Sequence, residues 1–317
     1  MKKNNRKLLI LTMLFSSAVV VIHLINKFIS ATAQLKEMLD LPTKKYFEWR
    51  FGKIHYTRKG SGSPVLLIHD ILPGASRYEW HHIEHTLSKD HTVYTIDLLG
   101  CGSSDKPGVT YTNFLYVQLI CDFTKQVIGE KIDIITSGFT GSFATMACVN
   151  ERELINKIIM VNPPRLGSLK QMPTEKHRLL KFFLEIPVFG TLVYNMIVSR
   201  EAIDNLFAEH FYYNPFHIDT NFEDAYYEAA HKGGRFAKNL YASRAARYMN
   251  IDITHALETI DNSIFIIEGS SENNANTIIE EYQKANPSIE AAIIPEARHF
   301  PHIENSKKFI EQLKIFL

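Results

Sequence analysis

The sequence predicts an α/β protein with a mostly parallel, doubly wound sheet, an inserted helical cap and an N-terminal transmembrane helix. Three observations carry that prediction. Short, almost wholly apolar runs recur at PVLLIHD, HTVYTIDLLG, KIDIITSG, KIIMVNPP, SIFIIEGSS and IEAAIIPEARH. A strand that is apolar at every position belongs to a sheet covered on both faces, whereas a sheet with one wet face would alternate. Helix-length amphipathic segments separate most of these runs, which is how a parallel sheet obtains both covers. The third observation is size: 317 residues, 45% hydrophobic, suffice for a full-sized core.

Taken in order, residues 1–7 are a basic flank (Lys2, Lys3, Arg6, Lys7) and residues 8–29 an apolar stretch of membrane-spanning length, uncharged from Leu8 to Ile25. A cleaved signal peptide is the rival reading, because Ala31-Thr32-Ala33 has the form of a cleavage site. The length of the run and the intervening Lys27, Phe28 and Ile29 favour an uncleaved anchor. The cations lie mostly before the span, which predicts a single-pass membrane protein with a cytoplasmic N-terminus and the large domain outside. Residues 30–45 read as a polar linker. The β-rich stretch FEWRFGKIHYTRKG opens the core, assigned to 46–163 and 257–317.

One interval breaks the rhythm. From 164 to 256 there is no strand run, only helical ones such as HRLLKFFLEIPVFGTLVYNMIV, SREAIDNLFAEHFYY and NFEDAYYEAAH. Roughly 90 residues exceed an ordinary crossover connection, so the block reads as a cap over the carboxyl edge of the sheet; the alternative is that these helices complete the core.

The formal charge of +1 gives no sign of nucleic acid or a polyanionic substrate. Cys101, Cys121 and Cys148 are odd in number and lack C-x-x-C spacing, so they read as buried apolar residues, with neither a disulfide framework nor a zinc site. His81, His82 and His85 in HHIEH have no accompanying acid or cysteine at metal spacing and read as a solvated helix face. No metal and no organic cofactor is expected.

The runs LLIHDILPG, IDLLGCGSSDKP, IITSGFTGS and EARHFPHIEN, in their order and spacing, resemble the landmarks of the α/β-hydrolase fold in its capped, single-domain form, over about 48–317. The resemblance implies a nucleophile on a tight strand-to-helix turn, a histidine base, an acid that orients it and backbone N–H groups that hold an oxyanion. His299 falls at the base, with Arg298 where the family usually has glycine, and a guanidinium there could lower the histidine's pKa by repulsion. Glu272 falls at the acid, or else is an exposed loop carboxylate. His302 and Glu304 read as structural, as do His69 and Asp97.

The turn itself departs from G-x-S-x-G. Gly138-Phe139-Thr140-Gly141-Ser142 puts Thr140 at the nucleophile; an ungapped count from the strand lands on Gly138, and a third register on Phe139, neither with a nucleophile. Ser137 or Ser142 could serve in a remodelled turn. An aspartate, which dehalogenase and epoxide hydrolase relatives would need, is absent from the turn, so those activities are set aside. The N–H groups of Ile71 and Gly141 are the expected oxyanion donors, with Asp70 opposing them electrostatically. The implied function is hydrolysis of an ester-like or other acyl bond in an apolar small molecule or lipid. The alternative is an inactive binding module whose aromatic cap (Phe182, Phe183, Phe211, Tyr212, Tyr213) encloses an apolar ligand.

Overall fold

The structure is a computed structural model that describes residues 2–317, with side chains from Asn5 onward. Eight strands form one sheet: β1 (Lys45–Trp49), β2 (Gly52–Lys59), β3 (Pro64–Ile68), β4 (Thr92–Ile96), β5 (Ile132–Ser137), β6 (Ile155–Val161), β7 (Ser263–Gly269) and β8 (Glu290–Ile294). Their spatial order is β1-β2-β4-β3-β5-β6-β7-β8. The β1–β2 hairpin and the β2–β4 pair are antiparallel, and the pairs from β4 to β8 are parallel. All five residues of β3 and of β4, and all six of β5, are buried, as expected of central strands covered on both faces.

Successive side chains leave opposite faces of a strand, so the same strands feed two cores. Leu66, Ile68, Ile134, Ile158 and Met160 pack on one face against α3 (Asn113–Phe123) and α4 (Thr140–Asn150). Val65, Leu67, Ile135, Ile159 and Val161 pack on the other with Trp80, Phe309 and Leu313. The three cysteines are free and buried in the first of these cores, as expected. Each large side chain removed from water in this way is worth about 1.5–3 kcal/mol.

Between β6 and β7 the chain is helical, including α5 (Glu175–Glu185), α6 (Phe189–Ile197), α7 (Thr220–His231) and α8 (Ala237–Ala245). This insert has its own aromatic cluster, in which Phe207, Phe211, Tyr212, Phe222 and Tyr226 close on Phe300 from the core. Phe182, Phe183 and Tyr213 are exposed, so of the five aromatics expected to enclose a ligand only Phe211 and Tyr212 turn inward.

The first helix, α1 (Lys2–Ala33), carries an apolar stretch of mean hydropathy 2.6, none of it buried in its most apolar part. Its carboxyl half is docked on the insert. The Asn26 side chain donates to the Val188 carbonyl at 3.0 Å and accepts from Asn195 at 2.9 Å, and Ser30 donates to the His231 carbonyl at 3.0 Å. Farther down, Phe15 meets Phe189 with ring centroids 6.2 Å apart. The following segment, expected as a polar linker, is held as well: the Met38 N–H donates to the Glu228 carboxylate at 2.6 Å and Leu39 is buried.

Candidate active site

Parallel pairing places Ile68 of β3 opposite Thr136 of β5, so the loops that follow the two strands emerge side by side at the carboxyl edge. The β5 loop is the turn that the sequence left in three registers. Its left-handed residue is Gly138, at φ +55°, followed by Phe139 at φ −66° and then by α4. This is the register of the ungapped count. A β-branched threonine is disfavoured at positive φ and glycine is not, which decides the matter locally. Thr140, expected at the apex, is instead the first residue of α4, wholly buried, with its hydroxyl donating to the Ser137 carbonyl at 2.8 Å. Ser142 likewise donates to the Phe139 carbonyl at 2.8 Å, and the buried Ser137 hydroxyl has no partner. Among the described residues no hydroxyl bonds to His299.

What fills the space above Gly138 is Asp70. A Cβ at residue 138 would overlap all three atoms of the Asp70 carboxyl group. Asp70 Oδ1 accepts from the N–H of Ile71 at 2.7 Å and from the N–H of Phe139 at 2.8 Å. The expected donor pair was Ile71 and Gly141. The Gly141 N–H turns to the Gly138 carbonyl at 3.4 Å inside the first helical turn, and Phe139 takes its place because the apex lies one register earlier. Asp70 Oδ2 lies 3.7 Å from His299 Nε2, with the two side chains 8% and 17% exposed.

His299 is held by its backbone and its ring. Its N–H donates to the Phe211 carbonyl at 3.0 Å, and its imidazole stacks on the Phe211 ring at 4.7 Å. Asn162, itself at φ +45°, donates to the carbonyls of Arg298 and His299 at 2.8 Å and accepts from the Gly269 N–H at 2.8 Å, tying together the loops after β6, β7 and β8. Nε2 of His299 is buried and has no hydrogen-bond partner.

The charges follow from these contacts. Burial alone would raise the Asp70 carboxyl, but His299 and the two N–H groups outweigh it and hold the group below the usual carboxylate range. Burial alone would lower His299; Asp70, then Glu272 and Glu79, overcome it and raise the imidazole above its ordinary value. Both shifts favour the charged forms, an imidazolium beside a carboxylate. Arg298, expected to lower His299, turns its guanidinium to the Glu209 carbonyl of the insert, and the acidic neighbours of His299 dominate its shift. Glu272 is half-buried, its pKa raised by desolvation against the pull of His299, and it makes no ion-pair contact with that ring. Glu268, fully buried and without a partner for either oxygen, is pushed by burial up to about 9.

The supporting residues are placed as their motifs suggest. His69 accepts from the Leu98 N–H at 3.0 Å, Asp97 accepts from the N–H groups of Arg77 at 2.7 Å and Ser103 at 3.0 Å, and Glu304 accepts from the N–H groups of Arg298 at 2.7 Å and Tyr213 at 2.6 Å. Two residues escaped sequence reasoning. Asn162 carried no motif, and Arg244 of α8 places its guanidinium 3.9 Å over the Phe139 ring, its Nε without a partner and Asp70 as the charge acting on it. Asp70 did leave a signal, a carboxylate where glycine was expected across from a glycine where a nucleophile was expected. The HHIEH histidines need a correction: the insert brings Asp219 to His81 and His82, so that pair does not simply face solvent.

A model of the alpha/beta hydrolase family matches residues 65–312. A 2-hydroxy-6-oxo-6-(2'-aminophenyl)hexa-2,4-dienoic acid hydrolase of Metapseudomonas resinovorans is 30% identical over 108 residues, 33% of this chain and 37% of that protein. A soluble epoxide hydrolase of Corynebacterium sp. (strain C12) is 26% identical over 110 residues, 35% of this chain and 38% of that one. The chain thus spans little more than a third of either. Among solved structures, a membrane phospholipase A described as a bacterial virulence factor matches with TM-score 0.68 at 18% identity, covering 98% of this chain and 97% of that one. At that identity the likeness is one of fold.

Proposed function

Because the chain belongs to the alpha/beta hydrolase family, we propose that it is a hydrolase of an apolar small molecule or lipid in which Asp70 replaces the missing hydroxyl as nucleophile, and that α1 anchors it in a membrane with the N-terminus cytoplasmic. The observation that carries this reading is the cradle of Asp70 Oδ1, held by two backbone N–H groups while Oδ2 points toward His299. A carboxylate so held is a preorganised nucleophile, with one oxygen fixed and the other free to attack.

The same occupancy argues against a Thr140–Glu272–His299 relay on an acyl ester, since the Asp70 oxygen stands where the ester's oxyanion would need the donors. It favours an electrophilic saturated carbon bearing an oxygen leaving group, of which an epoxide is the simplest. Oδ2 of Asp70 would form a bond to that carbon as the carbon–oxygen bond of the ring breaks, and the His299 imidazolium would protonate the departing oxygen. The product is an alkyl ester of Asp70 and a neutral imidazole. His299 would then take a proton from water as the hydroxide adds to the ester carbonyl, its oxyanion held by the N–H groups of Ile71 and Phe139. Collapse returns the carboxylate, the imidazolium and a diol. Glu272 and Asn162 would act as positioning residues, the one through charge and the other through the His299 carbonyl. The similarity to a soluble epoxide hydrolase is consistent with this substrate class.

A single turnover in ¹⁸O-water tests it. Hydrolysis of the intermediate at its carbonyl leaves one solvent oxygen in the Asp70 carboxylate, readable by peptide mass. Turnover with no label in that peptide would overturn the covalent role of Asp70. A second reading, a binding module without chemistry, is favoured by the lack of any hydroxyl bonded to His299. It is supported if a panel of epoxides and acyl esters gives no turnover with the folded protein.

A further inference from the structure

We propose that His81, His82 and Asp219 form a binding site for a divalent metal ion of the zinc kind, which clamps the helical insert to the core. His81 and His82 open α2 (His81–Leu87), while Asp219 stands at the head of α7, 138 and 137 residues away in the chain. His81 Nε2 lies 3.1 Å and His82 Nε2 3.4 Å from the same oxygen, Asp219 Oδ2, and the three ligand atoms are mutually within 4.8 Å. Zinc bonds of about 2.0–2.1 Å at tetrahedral angles separate neighbouring ligand atoms by about 3.3 Å, so both contacts have the length of a coordination edge.

The protonation pattern points the same way. His81 Nδ1 lies 2.7 Å from the Tyr78 carbonyl, which can only accept, so this nitrogen carries the ring's proton. In the neutral ring Nε2 is then a lone pair aimed at a carboxylate oxygen, two acceptors facing each other unless a second ring proton or a metal ion lies between them. That contact to a carbonyl is the outer bond by which metal-binding histidines are usually oriented. The second ring lies tilted beside the first, with centroids 4.0 Å apart, and converges on the same oxygen, whose partner Oδ1 is already engaged by the N–H groups of Asn221 and Phe222. One divalent ion satisfies both imidazoles and the carboxylate together. Two imidazoles with one carboxylate suit zinc and its neighbours better than calcium or magnesium, and the partial exposure of all three side chains leaves a fourth position for water. The consequence is mechanical, because α7 carries Phe222 and Tyr226 of the aromatic cluster that closes over His299.

The test uses the untagged full-length protein in detergent, stripped with EDTA and titrated with zinc chloride by calorimetry, with the thermal midpoint read alongside. The expected result is one equivalent bound and a raised midpoint. Asp219→Asn keeps the helix cap and both imidazoles but removes the anionic ligand, so it separates metal binding from folding. Losing an outer partner alone costs about 10–100-fold in affinity, so this variant and His82→Ala are each expected to bind at least tenfold more weakly. Absence of a one-equivalent site in the wild type, or unchanged affinity in both variants, overturns the proposal. The readout is binding rather than turnover, so it stands or falls apart from the role of Asp70.

Discussion

Restoring a side chain to the turn is the sharpest probe of the relation between Gly138 and Asp70. Gly138→Ser puts an L-residue at φ +55°, costing about 1–2 kcal/mol. It also drives a Cβ into the Asp70 carboxyl, an overlap of the kind that costs about 1–3 kcal/mol in a packed interior. The single variant is therefore expected to lose about 2–5 kcal/mol in urea unfolding. Asp70→Gly removes the obstacle and frees the N–H groups of Ile71 and Phe139. In the double variant the overlap disappears and only the backbone term remains, so the two substitutions should couple favourably by about 1–3 kcal/mol. Additivity within about 0.5 kcal/mol would refute the claim that the two positions share one space. A fluorophosphonate probe supplies the functional half of the test. The double variant, with a hydroxyl at the left-handed position over two free N–H groups, is expected to be labelled at residue 138 and the wild type not at all. Labelling of wild-type Thr140 would sink the Asp70 reading.

Other expectations follow from the same geometry. Asp70→Asn keeps the shape and the contact with the two N–H groups but lacks the nucleophilic charge, and should lower kcat by a factor of about 10² or more; its thermal midpoint should also fall, because His299 loses its charge partner. The His299–Asp70 pair has a sign that can be checked: the raised imidazole contributes stability below about pH 6.5 and loses it as pH rises through its folded value. The lowered carboxyl contributes above about pH 3.9 and loses it on acidification. Turnover that starts from the imidazolium should fall on the alkaline side, and in Glu272→Gln, which removes a charge that raises His299, that limb should move to lower pH. Glu268, neutral in the fold up to about pH 9 but ionised when unfolded above about pH 4.3, makes stability fall with rising pH between those values; Glu268→Gln should flatten the dependence of the urea midpoint across that window. Asn26→Ala strands the buried Asn195 amide and should cost about 1–3 kcal/mol in a detergent melt, and an unchanged midpoint would refute docking of α1.

The sheet was legible because a strand covered on both faces writes its burial directly into composition: PVLLI is apolar throughout, IDIITS keeps three isoleucines among small or singly placed polar residues, and each lies where its run predicts. His299 was legible for a related reason, since a short motif fixes its place after the last strand. The turn was not, because Gly138 and Gly141 both offer a glycine to anchor on, and only the backbone angle shows which one is left-handed. Asp70 could be seen as an anomaly but not as an occupant of the turn, because its role depends on two strands lying side by side. Arg244, Asn162 and Asp219 were beyond reach altogether. They come to their partners across long stretches of chain, through packing of the insert that no local pattern encodes.

The docking of α1 bears on movement. Its bonds run to Val188, Asn195 and His231, all in the insert. If the helix is seated in a bilayer, the insert is the stationary part, with its tilt and depth set by the lipid. Any parting of insert from sheet to admit a substrate must then be a swing of the sheet-bearing body away from the membrane surface, with Asp70 and His299 riding on the moving side. In that setting the resistance to the swing would come from the bilayer as well as from the protein, and membrane thickness and tension would bear on access to the site.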